Sequence, residues 1–289
     1  MLERHAPAKI NLGLHVLRRR PDGYHDIETV FLRIPWADRI TATRAGTLSM
    51  TCSDPALPTD ARNLCLQAAG RLKDAFSVQA GAMLHLEKNV PYGAGLGSGS
   101  SDAAATLQLL NALWGVGASD EELHALGAEI GADVPFFLGP PAAHATGRGD
   151  VLTPLQSPAG AVYDCPFMFV VAVPPVEVAT PAAYRMVTPR EHDRPDVRSV
   201  VQTNDLDRWR EDLVNDFEAP VAEAVPDVEA ARALLKGAGA GYVSLSGSGS
   251  AVYGAFEAAG RARAAADRAA SAGNRVWCGR AGAVRRAES

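Results

Sequence analysis

A glycine- and serine-rich stretch at residues 91–101 is the first candidate for chemistry in this sequence. Because glycine carries no side chain, such a loop lets backbone N–H groups approach a bound anion closely. A helix predicted over residues 102–114 follows at once, and its N-terminus would add orphan N–H groups and the positive end of its dipole. The pattern therefore predicts a phosphate-binding loop, and a flexible surface loop is the alternative.

Two common phosphate motifs do not fit this loop. A Walker A loop needs Gly-Lys-Ser/Thr, and no lysine follows the glycines here. The dinucleotide fingerprint Gly-x-Gly-x-x-Gly fails as well, because Ser98 stands where its last glycine should follow Gly93 and Gly95. Asp102 is predicted to cap the helix, with a water-mediated contact to Mg²⁺ as the alternative. The loop is therefore a phosphate site of another kind.

A lysine and an aspartate are the candidates for proton chemistry. Lys9 lies on the polar face of an alternating strand at residues 8–16, and Asp133 follows a predicted helix and precedes Val-Pro. A buried ammonium group beside a carboxylate would keep it ionised and ready to accept a hydroxyl proton. A solvated strand lysine and a turn or capping aspartate are the alternatives, and the sequence leaves them open.

Two further patterns suit ligand contact. Tyr24 and His25 place an aromatic ring beside an imidazole after a Pro-Asp-Gly turn. Stacking platforms for bases use these residue types, although an exposed ring at a turn is the alternative. Gly247-Ser-Gly-Ser250 lies between two predicted strands. It is either a plain hairpin turn or a second backbone surface for the ligand.

The elements that must position these residues fall into two groups. Before residue 157, strands are predicted at 8–16, 27–34, 40–43 and 83–86, and helices at 63–76, 102–114 and 119–130. The small residues around Pro158 and Gly160 mark a boundary, which predicts domains at 1–156 and 157–289. The second part contains a strand, helices that include one at 206–217, a hairpin, a helix and a strand. This order favours an antiparallel sheet with helices on one face, an α+β arrangement.

Composition excludes several function classes. The chain has 289 residues and a net charge of -5, so nothing in its charge favours nucleic acid or an anionic membrane surface. Its four cysteines are scattered without metal-type spacing, which argues against a zinc site or a disulfide framework. The longest apolar stretch is too short to cross a bilayer, and no export signal is recognised. We therefore expect a cytoplasmic protein.

Taken together, the motifs resemble those of the GHMP kinase superfamily. Residues 91–105 resemble its ATP-phosphate motif, and Leu245-Ser-Gly-Ser-Gly249 resembles its third, glycine-rich motif. Residues 7–16 and the segment Arg20-Pro-Asp-Gly-Tyr-His-Asp-Ile-Glu-Thr-Val-Phe31 are similar to the N-terminal signature of the branch that acts on CDP-methylerythritol. Gly131-Ala-Asp-Val-Pro-Phe136 is similar to the segment with the catalytic aspartate. The resemblance covers nearly the whole chain.

The resemblance implies a fold, a reaction and a set of roles. The fold is α+β, with an N-terminal α/β domain that contains a left-handed crossover, a ferredoxin-like C-terminal domain and an active site in the cleft between them. The reaction is ATP- and Mg²⁺-dependent phosphorylation of the 2-hydroxyl of CDP-methylerythritol, in the non-mevalonate isoprenoid pathway, by a monomer or weak homodimer. The implied catalytic residues are Asp133 as the base and Lys9 as its electrostatic partner. The implied ATP-binding residues are Pro91, Gly93, Ala94, Gly95, Leu96, Gly97, Ser98, Gly99, Ser100 and Ser101.

The substrate site implied by the resemblance consists of Asn11, Tyr24, His25 and Tyr184. His25 would read the cytosine edge and Tyr24 would stack on the ring. Tyr184 follows Thr180-Pro181 and stands where the family commonly has phenylalanine. Two alternatives remain: another kinase of the superfamily, acting on mevalonate or homoserine, and a non-catalytic ligand sensor on the same fold. The Tyr24-His25 pair argues against the first, and retention of Lys9 and Asp133 argues against the second.

Overall fold

The structure, a computed structural model, describes residues 1–282, and the chain divides into two compact units. The first unit comprises Met1–Ala8, Trp36–Val90 and Gly97–Pro140. The second comprises Lys9–Pro35, Pro91–Leu96 and the chain from Pro141 onward. A domain boundary at residue 157 stays a prediction. No helix within residues 1–282 is long and apolar enough to cross a membrane.

Two long strands, β1 (Leu2–Arg19) and β2 (His25–Ala45), pair with each other and contribute residues to both units. The sequence predicted a shorter hairpin and a separate strand at 40–43, whereas β2 is continuous. Asp38 lies between the two predicted strands and inside the observed β2. Its buried carboxylate accepts hydrogen bonds from the backbone N–H groups of Asn89 and Val90, so the strand continues through it.

Besides its parts of β1 and β2, the first unit contains two short strands and four helices. Its remaining elements are β3 (Ser49–Cys52), α1 (Leu64–Phe76), β4 (Gly81–Glu87), α2 (Ser98–Trp114), α3 (Asp120–Ile130) and α4 (Val134–Leu138). β4 lies antiparallel to the second half of β2 and parallel to β3. α1 packs on α2, and α4 packs on both α2 and α3. α3 begins with the capping box predicted from the sequence, in which Ser119 and Glu122 bond each other's backbone N–H groups.

The second unit contains two sheet regions. β5 (Ala142–Thr146) pairs with the first half of β2 and with β6 (Val151–Pro154). The other strands are β7 (Met168–Val173), β8 (Tyr242–Leu245), β9 (Val252–Phe256) and β10 (Arg275–Arg280). They form an antiparallel sheet in the order β10-β7-β9-β8. That order places the first and third of these strands at the centre, as a ferredoxin-like sheet does.

The helices of the second unit connect and cover this sheet. They are α5 (Thr180–Met186), α6 (Val197–Gln202), α7 (Leu206–Asp212), α8 (Glu218–Ala224), α9 (Pro226–Gly237) and α10 (Ala259–Ser271). Apolar residues of α8, α9 and α10 pack on β7, β8 and β9 to form a buried core. The α+β arrangement predicted from the residue pattern is confirmed.

The helix predicted at 206–217 was wrong in its second half, because α7 ends at Asp212. Residues 213–215 are not helical, and Asn215 forms an isolated parallel bridge with Leu14 of β1. The N–H of Leu14 donates to the Val214 carbonyl at 2.9 Å, and the N–H of Asp216 donates to the Leu14 carbonyl at 2.9 Å. The apolar spacing of 213–217 fits a helix, but hydrogen bonds to a distant strand decide its conformation.

Candidate active site

The first half of the glycine-rich loop is fixed to the turn between β8 and β9, and both belong to the second unit. The Ser246 hydroxyl donates to the Gly95 carbonyl at 2.8 Å, and the Ala251 N–H donates to the Ala94 carbonyl at 3.1 Å. Gly95 has a φ of +78°, and a β-carbon there would lie 1.9 Å from the Ser246 carbonyl oxygen. Only glycine fits this approach. The two glycine-rich motifs therefore form one backbone surface.

Lys9 joins this surface from β1. Its ammonium Nζ donates to the Asn11 Oδ1 at 2.6 Å and to the Gly95 carbonyl at 3.0 Å. Its backbone N–H donates to the Leu96 carbonyl at 2.9 Å. The residue is 4% exposed, and Nζ lies 5.0 Å from the centroid of the Phe31 ring. A solvated strand lysine is therefore excluded, and the structure brings Lys9, Asn11 and the loop together.

Asn11 is held by its own network. Its Nδ2 donates to the Thr29 hydroxyl at 3.1 Å, and that hydroxyl donates to the Gly13 carbonyl at 2.5 Å. The Tyr253 hydroxyl donates to the Asn11 backbone carbonyl at 2.8 Å. Asn11 and Thr29 are both buried. With Nδ2 engaged by Thr29, the amide of Asn11 is oriented so that Oδ1 faces Lys9.

The second half of the loop lies in the first unit and is already helical, which corrects the predicted start at Asp102. Gly97 is the N-cap of α2, with φ 68° and ψ 17°, and Ser98 is the first helical residue. The left-handed conformation of Gly97 ends the loop there. The Ser101 N–H makes the first intrahelical bond, to the Gly97 carbonyl at 2.9 Å. The turn before it presents N–H groups, such as those of Gly99 and Ser100, at the positive end of the helix.

Asp133 also lies in the first unit, at the N-cap of α4. A β-carbon built on Gly131 would lie 4.0 Å from the Ser100 hydroxyl oxygen, so this segment passes the first turn of α2. Within the described chain, the Asp133 side chain makes no capping hydrogen bond to α4, so the capping alternative does not hold. Lys9 and Asp133 belong to different units, and their pairing stays a prediction.

His25 and Tyr184, far apart in sequence, stack on each other in the second unit. Their ring centroids are 4.7 Å apart and the planes are inclined by 21°. Tyr184 in turn meets Phe217 edge to face, at 4.9 Å and 84°. Burial, with a smaller contribution from the Arg19 charge, lowers the pKa of His25 below its ordinary value of 6.5. The imidazole is therefore mainly neutral at pH 7 and can both donate and accept a hydrogen bond.

Tyr24 has different surroundings from its neighbour. It is 59% exposed, and the Arg148 guanidinium lies 5.2 Å from the centroid of its ring. Asp150 holds Arg148 in place by accepting hydrogen bonds from its Nε at 3.0 Å and from its Nη2 at 2.8 Å. The ring is thus available for a ligand on a surface that includes an oriented cation.

A cavity of about 920 Å³ lies elsewhere in the second unit, between α8, α9 and β8. Ion-pairing side chains line it, among them Glu218 and Arg232, but none of the predicted site residues does. Among residues 1–282, no group of three or more His, Cys, Asp or Glu side chains is placed to hold a metal ion. The cavity is therefore lined by other residues than those that the motifs identify.

Sequence reasoning missed several residues that build the site. Asn215 is buried, and its Nδ2 donates to the Leu245 carbonyl at 3.0 Å and to the Gly247 carbonyl at 2.9 Å, which fixes the β8–β9 turn. No local signal marks it, because it lies inside an apparently helical pattern. Thr29 faces Asn11 only once β1 and β2 pair. The Ser246 hydroxyl could have been suspected, since it lies within the third glycine-rich motif.

Comparison with known proteins places the chain in a family. Residues 63–139 match the model of the GHMP kinases N terminal domain, and residues 197–275 match that of the GHMP kinases C terminal. The 4-diphosphocytidyl-2-C-methyl-D-erythritol kinase of Salinibacter ruber is 66% identical over 265 residues, which cover 91% of this chain and 93% of that protein. The chain belongs to the 4-diphosphocytidyl-2-C-methyl-D-erythritol kinase family of GHMP kinases.

Solved structures agree with this GHMP kinase assignment. A crystal structure of 4-(cytidine 5'-diphospho)-2C-methyl-D-erythritol kinase matches with a TM-score of 0.81 and 37% identity, over 98% of this chain and all of that one. A homoserine kinase from Cytophaga hutchinsonii, 18% identical, matches with a TM-score of 0.70 over 94% of each chain and shows the shared fold alone. The two-domain GHMP kinase fold expected from the sequence is confirmed.

Proposed function

We propose that this GHMP kinase transfers the γ-phosphoryl group of ATP to the 2-hydroxyl of 4-diphosphocytidyl-2-C-methyl-D-erythritol. The products are the 2-phosphate and ADP, and the reaction belongs to the non-mevalonate isoprenoid pathway. The observation that carries the proposal is the 66% identity to the Salinibacter ruber kinase of that name, over 91% of the chain. A cytoplasmic location is part of the proposal, because ATP is the co-substrate.

The proposed ATP site is the backbone of residues 91–101. Support comes from the interlocked Gly95 and Ser246 segments and from the first turn of α2, which presents N–H groups to an anion. The buried Ser101 hydroxyl has no hydrogen-bond partner among residues 1–282, so it is suited to donate to a phosphate oxygen. Mg²⁺ would arrive on the nucleotide, since a magnesium ion of this kind keeps several waters and is held largely by phosphate oxygens.

The proposed chemistry is an in-line displacement. The substrate hydroxyl oxygen forms a bond to the γ-phosphorus, the bond from that phosphorus to the β–γ bridging oxygen breaks, and the hydroxyl proton passes to the Asp133 carboxylate. Positioning and charge stabilisation dominate such transfers, which need little covalent help from the protein. Lys9, held by Asn11 and the Gly95 carbonyl, supplies a fixed positive charge at the loop.

The cytidine part of the substrate would bind at His25 and Tyr184. The stacked rings form an aromatic surface for the base, and a neutral imidazole edge can pair with the amino and ring-nitrogen groups of cytosine. Tyr24 would stack on the base and Asn11 would line the substrate site. Binding energy from this remote end positions the reacting hydroxyl, which is a crowded tertiary alcohol and a weak nucleophile.

A coupled assay of ADP release tests the proposed function. The purified chain is supplied with ATP, Mg²⁺ and one acceptor at a time: the cytidyl substrate, the same methylerythritol phosphate without the cytidylyl group, mevalonate or homoserine. ADP release that saturates with the cytidyl compound alone supports the proposal. Preference for mevalonate or homoserine would assign the chain to another GHMP activity, and no ADP with any acceptor would indicate a ligand sensor.

A further inference from the structure

A buried cluster of three charged side chains lies at the two ends of the phosphate loop. The Lys88 ammonium donates to Asp38 Oδ2 at 2.5 Å and to Asp102 Oδ2 at 2.8 Å. The three side chains are 4%, 0% and 5% exposed for Lys88, Asp38 and Asp102. All three belong to the first unit. The cluster corrects the role predicted for Asp102, which pairs with Lys88 and, as the fifth residue of α2, lies beyond the first turn that a capping side chain would serve.

The partners of the cluster lie on both sides of the loop. The Asp38 Oδ1 accepts the N–H groups of Asn89 at 2.6 Å and Val90 at 2.8 Å, the last residues before the loop. Lys88 belongs to the same entering segment. Asp102 lies in α2, just after the loop. Asp38 of β2 therefore bonds directly to the segment that precedes the loop. Through Lys88 it is also linked to Asp102 in α2, which follows the loop.

We propose that Asp38, Lys88 and Asp102 are positioning residues that hold the two ends of the phosphate loop at a fixed separation and so keep its N–H groups aligned for ATP. The proposal rests on the proposed function only in taking ATP as the ligand. A loop of about a dozen residues loses much of its conformational freedom when its ends are tied. If the loop is already ordered, ATP binding does not bear the entropy cost of ordering it, and the affinity for ATP is higher.

Burying these three charged groups costs desolvation free energy, so the cluster is a poor way to stabilise the fold. One ammonium group neutralises one carboxylate, so the second carboxylate is buried without full compensation. Asp102 Oδ1 is buried and has no hydrogen-bond partner among residues 1–282. Burial raises the pKa of Asp102 to about 7, with Lys88 opposing the rise and Asp38 adding to it. Apolar side chains of similar size would stabilise the fold at least as well. We therefore infer that the cluster serves the loop whose two ends it joins.

Direct ATP binding without a second substrate tests the role. Asp102→Ala removes the acceptor on the helix side and leaves the Asp38–Lys88 pair in place. It should raise the Kd for ATP by roughly tenfold or more, as expected for losing a buried charged hydrogen bond. Asp102→Asn retains an oxygen that accepts from Lys88, so its Kd should stay within roughly threefold of wild type, well short of the tenfold step. The Kd for CDP should not change in either variant.

Thr106→Val is the matched control, because Thr106 is buried one turn further along α2 and its hydroxyl donates to the Asp102 backbone carbonyl at 2.8 Å. It should lower Tm, because a buried hydroxyl that donates a hydrogen bond is lost, but it should leave the Kd for ATP unchanged. Hydrogen exchange of residues 92–101 should accelerate in Asp102→Ala and not in Thr106→Val. If Asp102→Ala binds ATP like wild type, or if it and Thr106→Val weaken ATP and CDP equally, the positioning role is wrong.

The outcomes separate this proposal from the proposed function. A wild-type chain that binds ATP but does not phosphorylate the cytidyl substrate contradicts the proposed function and leaves the positioning test intact. If the wild type turns over normally and Asp102→Ala keeps full ATP affinity, only the positioning role is contradicted. A wild type that binds no ATP would overturn both.

Discussion

Lys9 donates a hydrogen bond from its Nζ to the carbonyl oxygen of Gly95, 3.0 Å away and 86 positions later in the chain. That carbonyl also accepts from the Ser246 hydroxyl. Three segments of the second unit therefore meet at one backbone oxygen: β1, the phosphate loop and the β8–β9 turn. The position of the lysine charge depends on the backbone of both glycine-rich motifs.

Lys9→Met should lower kcat by about 100-fold or more, because it removes the fixed charge proposed to act at the reacting groups. Lys73→Met is the matched control, since Lys73 also donates to a carbonyl, that of Ala80 at 3.0 Å, and lies 6.0 Å from the Trp114 ring centroid. Steady-state kinetics on both folded variants checks the prediction. Similar kcat values for the two variants would mean that Lys9 has only a structural role.

Gly95→Ala should weaken ATP binding strongly and lower Tm. Its β-carbon would lie 1.9 Å from the Ser246 carbonyl oxygen, so the loop and the turn must separate. Gly115→Ala is the control: Gly115 also has a positive φ, +68°, but nothing lies within 4 Å of its β-carbon. Gly115→Ala should lower the free energy of unfolding by about 1 kcal/mol, through backbone strain alone. Equal losses of ATP affinity in the two variants would contradict the close approach as the cause.

Asp133→Asn should lower kcat by about 10²- to 10⁴-fold, the range expected when a general base is lost. The Kd for ATP should change little, because the amide has the same shape and the loop is untouched. Asp196→Asn is a suitable control, since Asp196 caps α6 through the Ser199 N–H and asparagine caps about equally well. Single-turnover rates separate the chemical step from product release. Turnover near the wild-type value in Asp133→Asn would exclude the residue as the base.

Tyr184→Ala should raise the KM for the cytidyl substrate by about 10- to 100-fold, the usual effect of losing a stacked ring. The KM for ATP should stay as it is. Tyr184→Phe keeps the ring that stacks on His25 and meets Phe217, so it should behave like wild type. If the alanine variant changes both KM values alike, Tyr184 supports the fold and does not contact the base.

The raised pKa of the Asp102 carboxyl makes the stability of the fold depend on pH, and it also sets the sign of that dependence. Burial raises the pKa to about 7, so the folded chain holds this proton at pH values where the unfolded chain, near 3.8, has lost it. The contribution of this group to the free energy of unfolding is therefore fully present below pH 4 and is lost as the pH rises through 7. The Tm of Asp102→Asn minus that of wild type should therefore grow between pH 5.5 and 8. A constant or shrinking difference would contradict the raised pKa.

The sequence predicted most of the elements because their signals are local. The capping box of α3, the Pro-Asp-Gly turn and the alternating strands depend on neighbouring residues alone. The non-helical segment at Asn215 was missed because hydrogen bonds to distant carbonyls decide its conformation. Lys88 stood out only as one of four lysines, and its partners Asp38 and Asp102 come together through tertiary packing.

The substrate-site residues show the same limit. Tyr24 and His25 were found as a pair because they are adjacent, yet His25 stacks on Tyr184 whereas Tyr24 lies beside Arg148. Pattern reasoning identified the glycine-rich loop but placed the helix start four residues late, because Gly97 ends the loop in a left-handed conformation. Such conformations depend on the surrounding backbone and are only weakly encoded by a run of glycines and serines.

The position of the new phosphate tests the proposed reaction most directly. The wild-type chain is incubated with ATP, Mg²⁺ and 4-diphosphocytidyl-2-C-methyl-D-erythritol, and the product is examined by ³¹P NMR and mass spectrometry. We expect one added phosphoryl group, as a monoester on the 2-hydroxyl, together with one equivalent of ADP and the cytidyl diphosphate intact. A phosphate on another hydroxyl, or ADP formed without any phosphorylated cytidyl product, would contradict the proposed reaction.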